Sequence, residues 1–217
     1  MKRKWLFLLT GWIVQIIAFL WMPANPWSLV SGLLGIASVV LCAEGSLLTF
    51  FFGVGQILTY TYLCWLERFY AGIAINAFYF VSQFYGLWHW RQRISQSSET
   101  QATISTAVPT TTLSWRTMLF LVVILGIGSY VIGFLLQRLT NDTQPYLDAL
   151  TTVPAIVAQI MMVRAIREHW FIWFAIDILY IVMWVRAGDL CMAMQYTFWC
   201  INCVYGYVRW THNVQNE

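Results

Sequence analysis

Long apolar runs, broken by charges, prolines and short polar turns, follow one another along almost the whole chain. A helix that crosses a bilayer needs about 20 predominantly apolar residues. Counted against that length, the pattern predicts eight helices, over residues 5–21, 27–43, 47–65, 69–90, 115–137, 149–163, 170–185 and 190–210. The connections at 23–26, 44–46, 67–68, 164–169 and 186–189 are short, and that at 138–148 is moderate. The Ser/Thr-rich stretch from Arg91 to Ser114 is the one long linker expected. The first run follows Met1-Lys2-Arg3-Lys4 and leads into Pro23 and Pro26, not into a small-residue cleavage site, so it reads as a retained helix.

Composition agrees with that pattern and narrows the function. The 217 residues are 60% apolar and only 10% charged, where a soluble domain carries about 25% charge. The expected class is an all-α integral membrane protein with no sizeable extramembrane domain. Twelve basic against nine acidic residues give a net charge of +3, too small and too scattered for a nucleic-acid partner. Cytoplasmic loops accumulate Lys and Arg. One set of alternate helix ends collects nine basic residues, Lys2, Arg3, Lys4, Arg91, Arg93, Arg116, Arg164, Arg167 and Arg209, and the other only Arg68, Arg138 and Arg186. Both termini are therefore expected in the cytoplasm.

Sliding the chain by 120 residues exposes a repeat. Phe84-Tyr85-Gly86-Leu87-Trp88-His89-Trp90 falls on Val204-Tyr205-Gly206-Tyr207-Val208-Arg209-Trp210, and Tyr60 falls on Tyr180. The second to fourth helices thus repeat as the sixth to eighth, with the fifth as connector. Three crossings are an odd number, so one linker crossing returns the second copy to the orientation of the first. The expected organisation is an extra N-terminal helix (1–26), a first three-helix repeat (27–90), a polar loop and linker helix (91–148), a second repeat (149–210) and a short cytoplasmic tail (211–217). Parallel repeats about an axis along the membrane normal belong to transporters that alternate access around a site near the midplane, sugar carriers of three-helix repeats among them.

Polar side chains inside spans are costly unless they meet a partner or a cavity. Gln195, Trp199 and Asn202 stand at i, i+4 and i+7 on the eighth helix, and Asn76, Phe80 and Gln83 repeat that spacing on the fourth, at an offset of 119 and so one residue out of register. Trp173, Asp177 and Tyr180 share a face of the seventh helix, and Phe52, Gln56 and Tyr60 a face of the third. Amides alone would serve as interhelical glue, worth about 0.6 to 2 kcal/mol each. Glue does not require an aromatic one turn away on four helices. The combination suits a flat, polar heteroaromatic ligand, stacked on rings and met by amide donors and acceptors. Asp177, the one acid well inside a span, suits a cationic ligand, a proton relay or a sugar hydroxyl.

Other chemistries find little support. Lysine occurs only at Lys2 and Lys4, so no span holds a Schiff base, and no Gly-Lys pair exists for a P-loop. His89, His169 and His212 fall at helix ends, where they read as interfacial side chains, not as haem or metal ligands. Cys42, Cys64, Cys191, Cys200 and Cys203 all lie in apolar runs and read as packing residues, the Cys200 and Cys203 spacing included. No cofactor is expected. The competing class is an intramembrane redox or hydrolytic enzyme built on Asp177, the histidines or that cysteine pair, for which no Gly-x-Ser-x-Gly setting exists.

Residues Trp170 to Asp177 resemble the Trp-x-x-Trp-x-x-x-Asn/Asp signature of the PnuC family of bacterial vitamin transporters, in its nicotinamide riboside branch. Phe51-Phe52-Gly53 ahead of Gln56, and Tyr85-Gly86 with Trp88 and Trp90, are similar to that family's motifs in the first repeat. The resemblance covers about residues 27–210 and leaves the first helix as an addition. It implies a three-plus-one-plus-three helix fold and a homotrimer in the bacterial inner membrane. It further implies facilitated diffusion of unphosphorylated vitamin, with cytoplasmic phosphorylation preventing return. Other branches carry riboflavin or thiamin. On this basis Trp173 and Trp199 would enclose a pyridinium ring, with Tyr180 beside them. Gln56, Asn76, Gln83, Gln195 and Asn202 would hold carboxamide and ribose, and Asp177 ribose hydroxyls or the cation.

Overall fold

The structure, a computed structural model, describes residues 2–21, 25–66, 70–101, 107–139 and 145–215. Their order is α1 (Lys2–Trp21), α2 (Pro26–Ala43), α3 (Leu48–Leu66), α4 (Tyr70–Gln101), α5 (Trp115–Leu139), α6 (Pro145–Val163), α7 (His169–Ala187) and α8 (Leu190–Gln215). The eight helices stand where the apolar runs predicted them. The connection expected at Glu67-Arg68, the first half of the turn at 23–26, Asp142 and the last two residues lie outside the described residues. Five helices, α1, α2, α5, α6 and α7, are apolar enough throughout to cross a membrane by length and composition. The other three, α3, α4 and α8, carry all five of the amides singled out in the sequence.

One expectation is corrected. The stretch from Arg91 was read as loop because it is polar, but α4 runs on to Gln101. Arg91 to Gln101 contains neither Gly nor Pro, so the helix has no reason to stop where the apolar run ends. The part of the linker from Ala107 to Leu113 is also fastened down. Val108 N–H donates to the Gly45 carbonyl, Thr111 N–H to that of Ala165, and Arg167 N–H to that of Thr111. The Thr110 hydroxyl donates to the Trp210 carbonyl at 3.0 Å, and Leu113 N–H to the Glu168 carboxylate at 2.9 Å. This strap ties together the turn after α2 and the turn after α6, which places both at the same end of the molecule.

The two turns are built alike at an offset of 120. Gly45 N–H donates to Cys42 O and Ser46 N–H to Leu41 O, while Ala165 N–H donates to Met162 O and Ile166 N–H to Met161 O. Both central residues have positive φ, 66° at Gly45 and 56° at Ala165. Ala165 accepts a backbone region that costs a residue with a Cβ about 1 to 2 kcal/mol. The duplicated hydrogen-bond pattern explains why it is held there.

The duplication extends to helix packing. Helix α2 lies against α3 and α8, and α6 against α7 and α4, so exchanging the two halves returns the same set of neighbours. Trp90 on α4 donates its indole N–H to the carbonyls of Met162 and Val163 at 3.3 and 3.0 Å, and Trp210 on α8 donates to that of Cys42 at 3.2 Å. The two indoles meet each other with centroids 5.9 Å apart. Small residues allow the close approach: a Cβ on Gly86 would stand 2.4 Å from the Phe50 ring, and one on Gly206 would stand 2.5 Å from Trp170. Residues 50 and 170 are themselves 120 apart. Helix α1 stands outside the repeat, packs on α2 and α8, and fixes itself by donating from Gln15 Nε2 to Cys191 O at 2.9 Å.

Overpacking a tight core position costs about 1 to 3 kcal/mol. Gly206→Ala is therefore expected to lower the melting temperature of the detergent-solubilised protein clearly, because Trp170 must move. Gly126→Ala meets nothing within 4 Å and is expected to leave stability unchanged or raise it by about 0.5 to 1 kcal/mol through helix propensity. Equal behaviour of the two variants in thermal unfolding would count against the packing argument.

Candidate functional site: a polar cavity between the two halves

A cavity of about 810 Å³ lies among α2, α3, α4, α6, α7 and α8, with Leu136 of α5 at its edge. It runs from Cys42, Met162, His169 and Trp170 near the strapped end to Leu136, Leu147 and Asp148 toward the other. At the strapped end Trp170 packs in turn on the fully buried Trp210. Eight of the nine residues singled out in the sequence line it: Gln56, Asn76, Gln83, Trp173, Asp177, Tyr180, Trp199 and Asn202. Helical periodicity accounts for the convergence, since each stripe occupies one face and those faces point between the halves.

Gln195 is the exception. It is fully buried but lies one turn before Trp199, where α8 crosses α2, and a Cβ on Gly35 would come within 2.9 Å of its Nε2. Its stripe is shared, but its end of the stripe is spent on the α2 contact and not on the cavity. Two aromatic flanks also differ from expectation: neither Phe52 nor Phe80 lines the cavity, and Tyr79 does. Tyr79 is the residue 120 before Trp199, so the strict repeat register, not the 119 offset, identifies the ring that faces inward.

Several lining residues had no place among the candidate site residues. Ser38, Thr49 and Gln159 bring hydroxyl and amide groups, and His169, read as interfacial, and Trp170, read as part of the signature, close the strapped end. Gln159 was visible as a polar residue within an apolar run. It donates to the Ser82 hydroxyl at 2.7 Å, and 120 residues on from Ser82 Asn202 donates to the Val39 carbonyl at 3.0 Å. His169 is corrected from the interfacial role expected of it. Its ring is fully buried, with Nδ1 2.7 Å from the Ile166 carbonyl and the ring packed on Trp170 and Trp210. The strap and α8 cover this helix end, which local sequence does not reveal.

The walls carry polar atoms without protein partners. Asn76 Nδ2, Tyr79 OH, His169 Nε2, Trp170 Nε1, Asp177 Oδ1, Trp199 Nε1 and Asn202 Oδ1 are buried and make no hydrogen bond. An unpartnered buried polar atom costs about 1 to 3 kcal/mol. Seven of them around one cavity are groups that a polar ligand can satisfy. Aromatic faces alternate with them: Tyr180 stacks on Tyr196 at 4.9 Å, Tyr196 meets Trp199 edge-on at 4.9 Å, and Tyr79 faces Trp173 at 6.1 Å. Among the described residues no Lys or Arg lines the cavity, whereas Asp148 and Asp177 do. Among the described residues no three His, Cys, Asp or Glu side chains gather as metal ligands, and all five cysteines are free.

The model of the nicotinamide mononucleotide transporter family matches residues 25–212. The chain belongs to the nicotinamide mononucleotide transporter family. The match leaves out α1 and takes in both repeats, the strap and every residue named in the cavity. Similar proteins include the nicotinamide riboside transporter PnuC of Haemophilus influenzae, 31% identical over 94% of this chain and 87% of that protein. The nicotinamide riboside transporter PnuC of Neisseria mucosa is 30% identical over 100% of this chain and 82% of that protein. Among solved structures, the crystal structure of the vitamin B3 transporter PnuC superposes with a TM-score of 0.84 at 27% identity, covering 100% of this chain and 93% of that one. The superposition takes in the whole of this chain, α1 included, so its fold is that of the solved relative.

Proposed function

We propose that this chain is a membrane transporter of nicotinamide riboside that uses no cofactor and carries out no chemical conversion. The observation that carries the reading is the cavity itself. Its volume lies within the range of small-molecule sites, about 300 to 1,000 Å³. Its aromatic walls, unpartnered amides and buried carboxylate complement a flat pyridinium with a carboxamide and a ribose, and cation–π attraction adds to stacking for a charged ring. A phosphate would find no basic partner on these walls, which favours the unphosphorylated riboside. The similarity to transporters named for nicotinamide riboside supports the same substrate over riboflavin, thiamin or a sugar.

Trp173 and Trp199 enclose the ring in this reading, with Tyr180 behind them. Gln56, Asn76, Gln83 and Asn202 meet carboxamide and ribose, and Gln195 supports Trp199 from the α2 interface. Alternating access follows from two similar halves hinged around one cavity, as facilitated diffusion trapped by phosphorylation in the cytoplasm. The proposed setting is the bacterial inner membrane, as a homotrimer with both termini cytoplasmic. The basic residues at the strapped end, with Arg93 donating to the Arg164 carbonyl, Arg167 paired to Glu168 and Arg209 to Glu44, support placing that end in the cytoplasm.

Trp173→Ala is expected to remove stacking worth about 1 to 3 kcal/mol, a loss of roughly 5- to 150-fold in affinity for nicotinamide riboside. Asn76→Leu removes an amide with an unpartnered Nδ2 and is expected to weaken binding by about 1 to 3 kcal/mol at unchanged melting temperature. Val122→Ala, at a 59% exposed position on α5, should bind as the parent does. A calorimetric titration in which both site variants match the parent would sink this assignment.

Vesicles containing only this protein should equilibrate nicotinamide riboside without concentrating it. Accumulation driven by a proton or sodium gradient would replace facilitated diffusion with coupled transport. Cysteine reporters placed between Arg91 and Ser114 should resist impermeant reagents in intact cells, and labelling from outside would reverse the orientation.

A further inference from the structure

Asp177 is a buried carboxylate on the cavity wall, and among the described residues no basic side chain on that wall balances it. Among those residues its one donor is a thiol. Cys203, one turn of α8 before Tyr207 and itself buried, gives its S–H to Asp177 Oδ2 at 3.7 Å, while Oδ1 has no partner. Both residues line the cavity.

A thiol is a weak donor. Lysine or arginine at this place would neutralise the acid and reduce its pull on a ligand. Cysteine fixes one oxygen in place at little cost to the charge of the other. Position 203 also has no matching role in the first half, where Gln83 stands 120 residues earlier and Ile57 stands opposite Asp177. The arrangement is therefore particular to one wall.

We propose that Cys203 is a positioning residue for Asp177: it holds one carboxylate oxygen so that the other faces the cavity, and the pair makes the site prefer a positively charged ring over a neutral ring of the same shape. The inference rests on the reading of the cavity as a nicotinamide riboside site and adds how that site would read charge. An under-satisfied carboxylate in a water-poor cavity is costly alone and strongly favoured by a cation. A ligand that brings its own positive charge supplies what the protein wall omits.

The test compares the full-length protein binding two probes, nicotinamide riboside and its uncharged 1,4-dihydro form, which keeps the carboxamide and ribose. The parent should prefer the cation. Asp177→Asn should cut that preference about tenfold or more while retaining the neutral probe. Cys203→Ala should cut it by about three- to tenfold, the scale of one lost hydrogen bond. Cys203→Ser, which keeps a donor, should restore it to within about twofold. Melting temperatures identify variants that fail to fold, and for those the serine and asparagine variants carry the decision. The proposal is overturned if Cys203→Ala weakens both probes equally, if Cys203→Ser falls as far as Cys203→Ala, or if the preference survives Asp177→Asn. Absence of nicotinamide riboside binding by the parent would instead overturn the functional reading, and this inference with it.

Discussion

Lipid tails compete with apolar side chains for the surface of every helix, so burial of hydrophobic area cannot by itself hold this chain together. Close approach at small residues and hydrogen bonds that lipid cannot offer must do so. Here the decisive contacts are the two indole N–H bonds, Trp90 to the end of α6 and Trp210 to the end of α2. Each carries a helix of one half to a carbonyl of the other. The glycines at 86 and 206 let the rings behind them approach, and the strap from Val108 to Leu113 ties the two turns. All of these contacts sit at one end, and at the other the halves meet again, where the Ser28 hydroxyl donates to the Asp189 carboxylate at 2.6 Å and Tyr60, Leu63 and Cys64 pack against Trp184, Met192 and Tyr196. The cavity lies between these two sets of contacts.

Much of this was legible in the sequence, for a physical reason in each case. Helix positions were legible because bilayer thickness sets their length, and the repeat because Tyr85-Gly86, Trp90 and their copies perform a packing task that few residues can replace. Eight of the nine candidate residues reached the cavity because a polar residue survives in a span only on a face that meets polar company. What stayed hidden depended on distant neighbours. Nothing near Gln195 in sequence says that Gly35 lies opposite it, and nothing near His169 says that residues 107–113 cover it. The helical continuation past Arg91 was masked by reading polarity as loop, although outside a bilayer a polar helix carries no penalty.

The three helices that escape a simple hydropathy criterion, α3, α4 and α8, bear four of the five amides that line the cavity, Gln56, Asn76, Gln83 and Asn202, with Gln159 on α6 the fifth. A transporter cannot maximise the apolarity of the helices that hold its substrate, so in this chain recognition lowers the very signal by which spans are found. The apolar helices α1 and α5 take the complementary part. Most of their large side chains are exposed, which suits lipid, and they buttress the seams from outside. Helix α1 packs over α2 and α8 and covers one seam between the halves, whereas α5 packs on α6.

The repeat and the site obey opposite rules. Positions that hold the halves together are alike at an offset of 120: Trp90 and Trp210, Gly86 and Gly206. On the cavity wall Tyr60 and Tyr180 keep that identity, but the other positions differ: Gly53 stands where Trp173 does, Gln56 where Ile176 does, Ile57 where Asp177 does, Asn76 where Tyr196 does, and Gln83 where Cys203 does. A symmetric pair of walls would present each donor and each ring twice, and a ligand with one aromatic end and one sugar end can use only one set. The unused set would remain as buried polar atoms with no partner, a cost repeated in every bound molecule. Divergence at the wall lowers that cost by giving the second half the carboxylate of Asp177 and the indoles of Trp173 and Trp199, and the first half the amides of Gln56, Asn76 and Gln83. The duplicated frame thus supplies two halves of like construction, and the loss of duplication inside it supplies a direction in which an unsymmetrical ligand can lie.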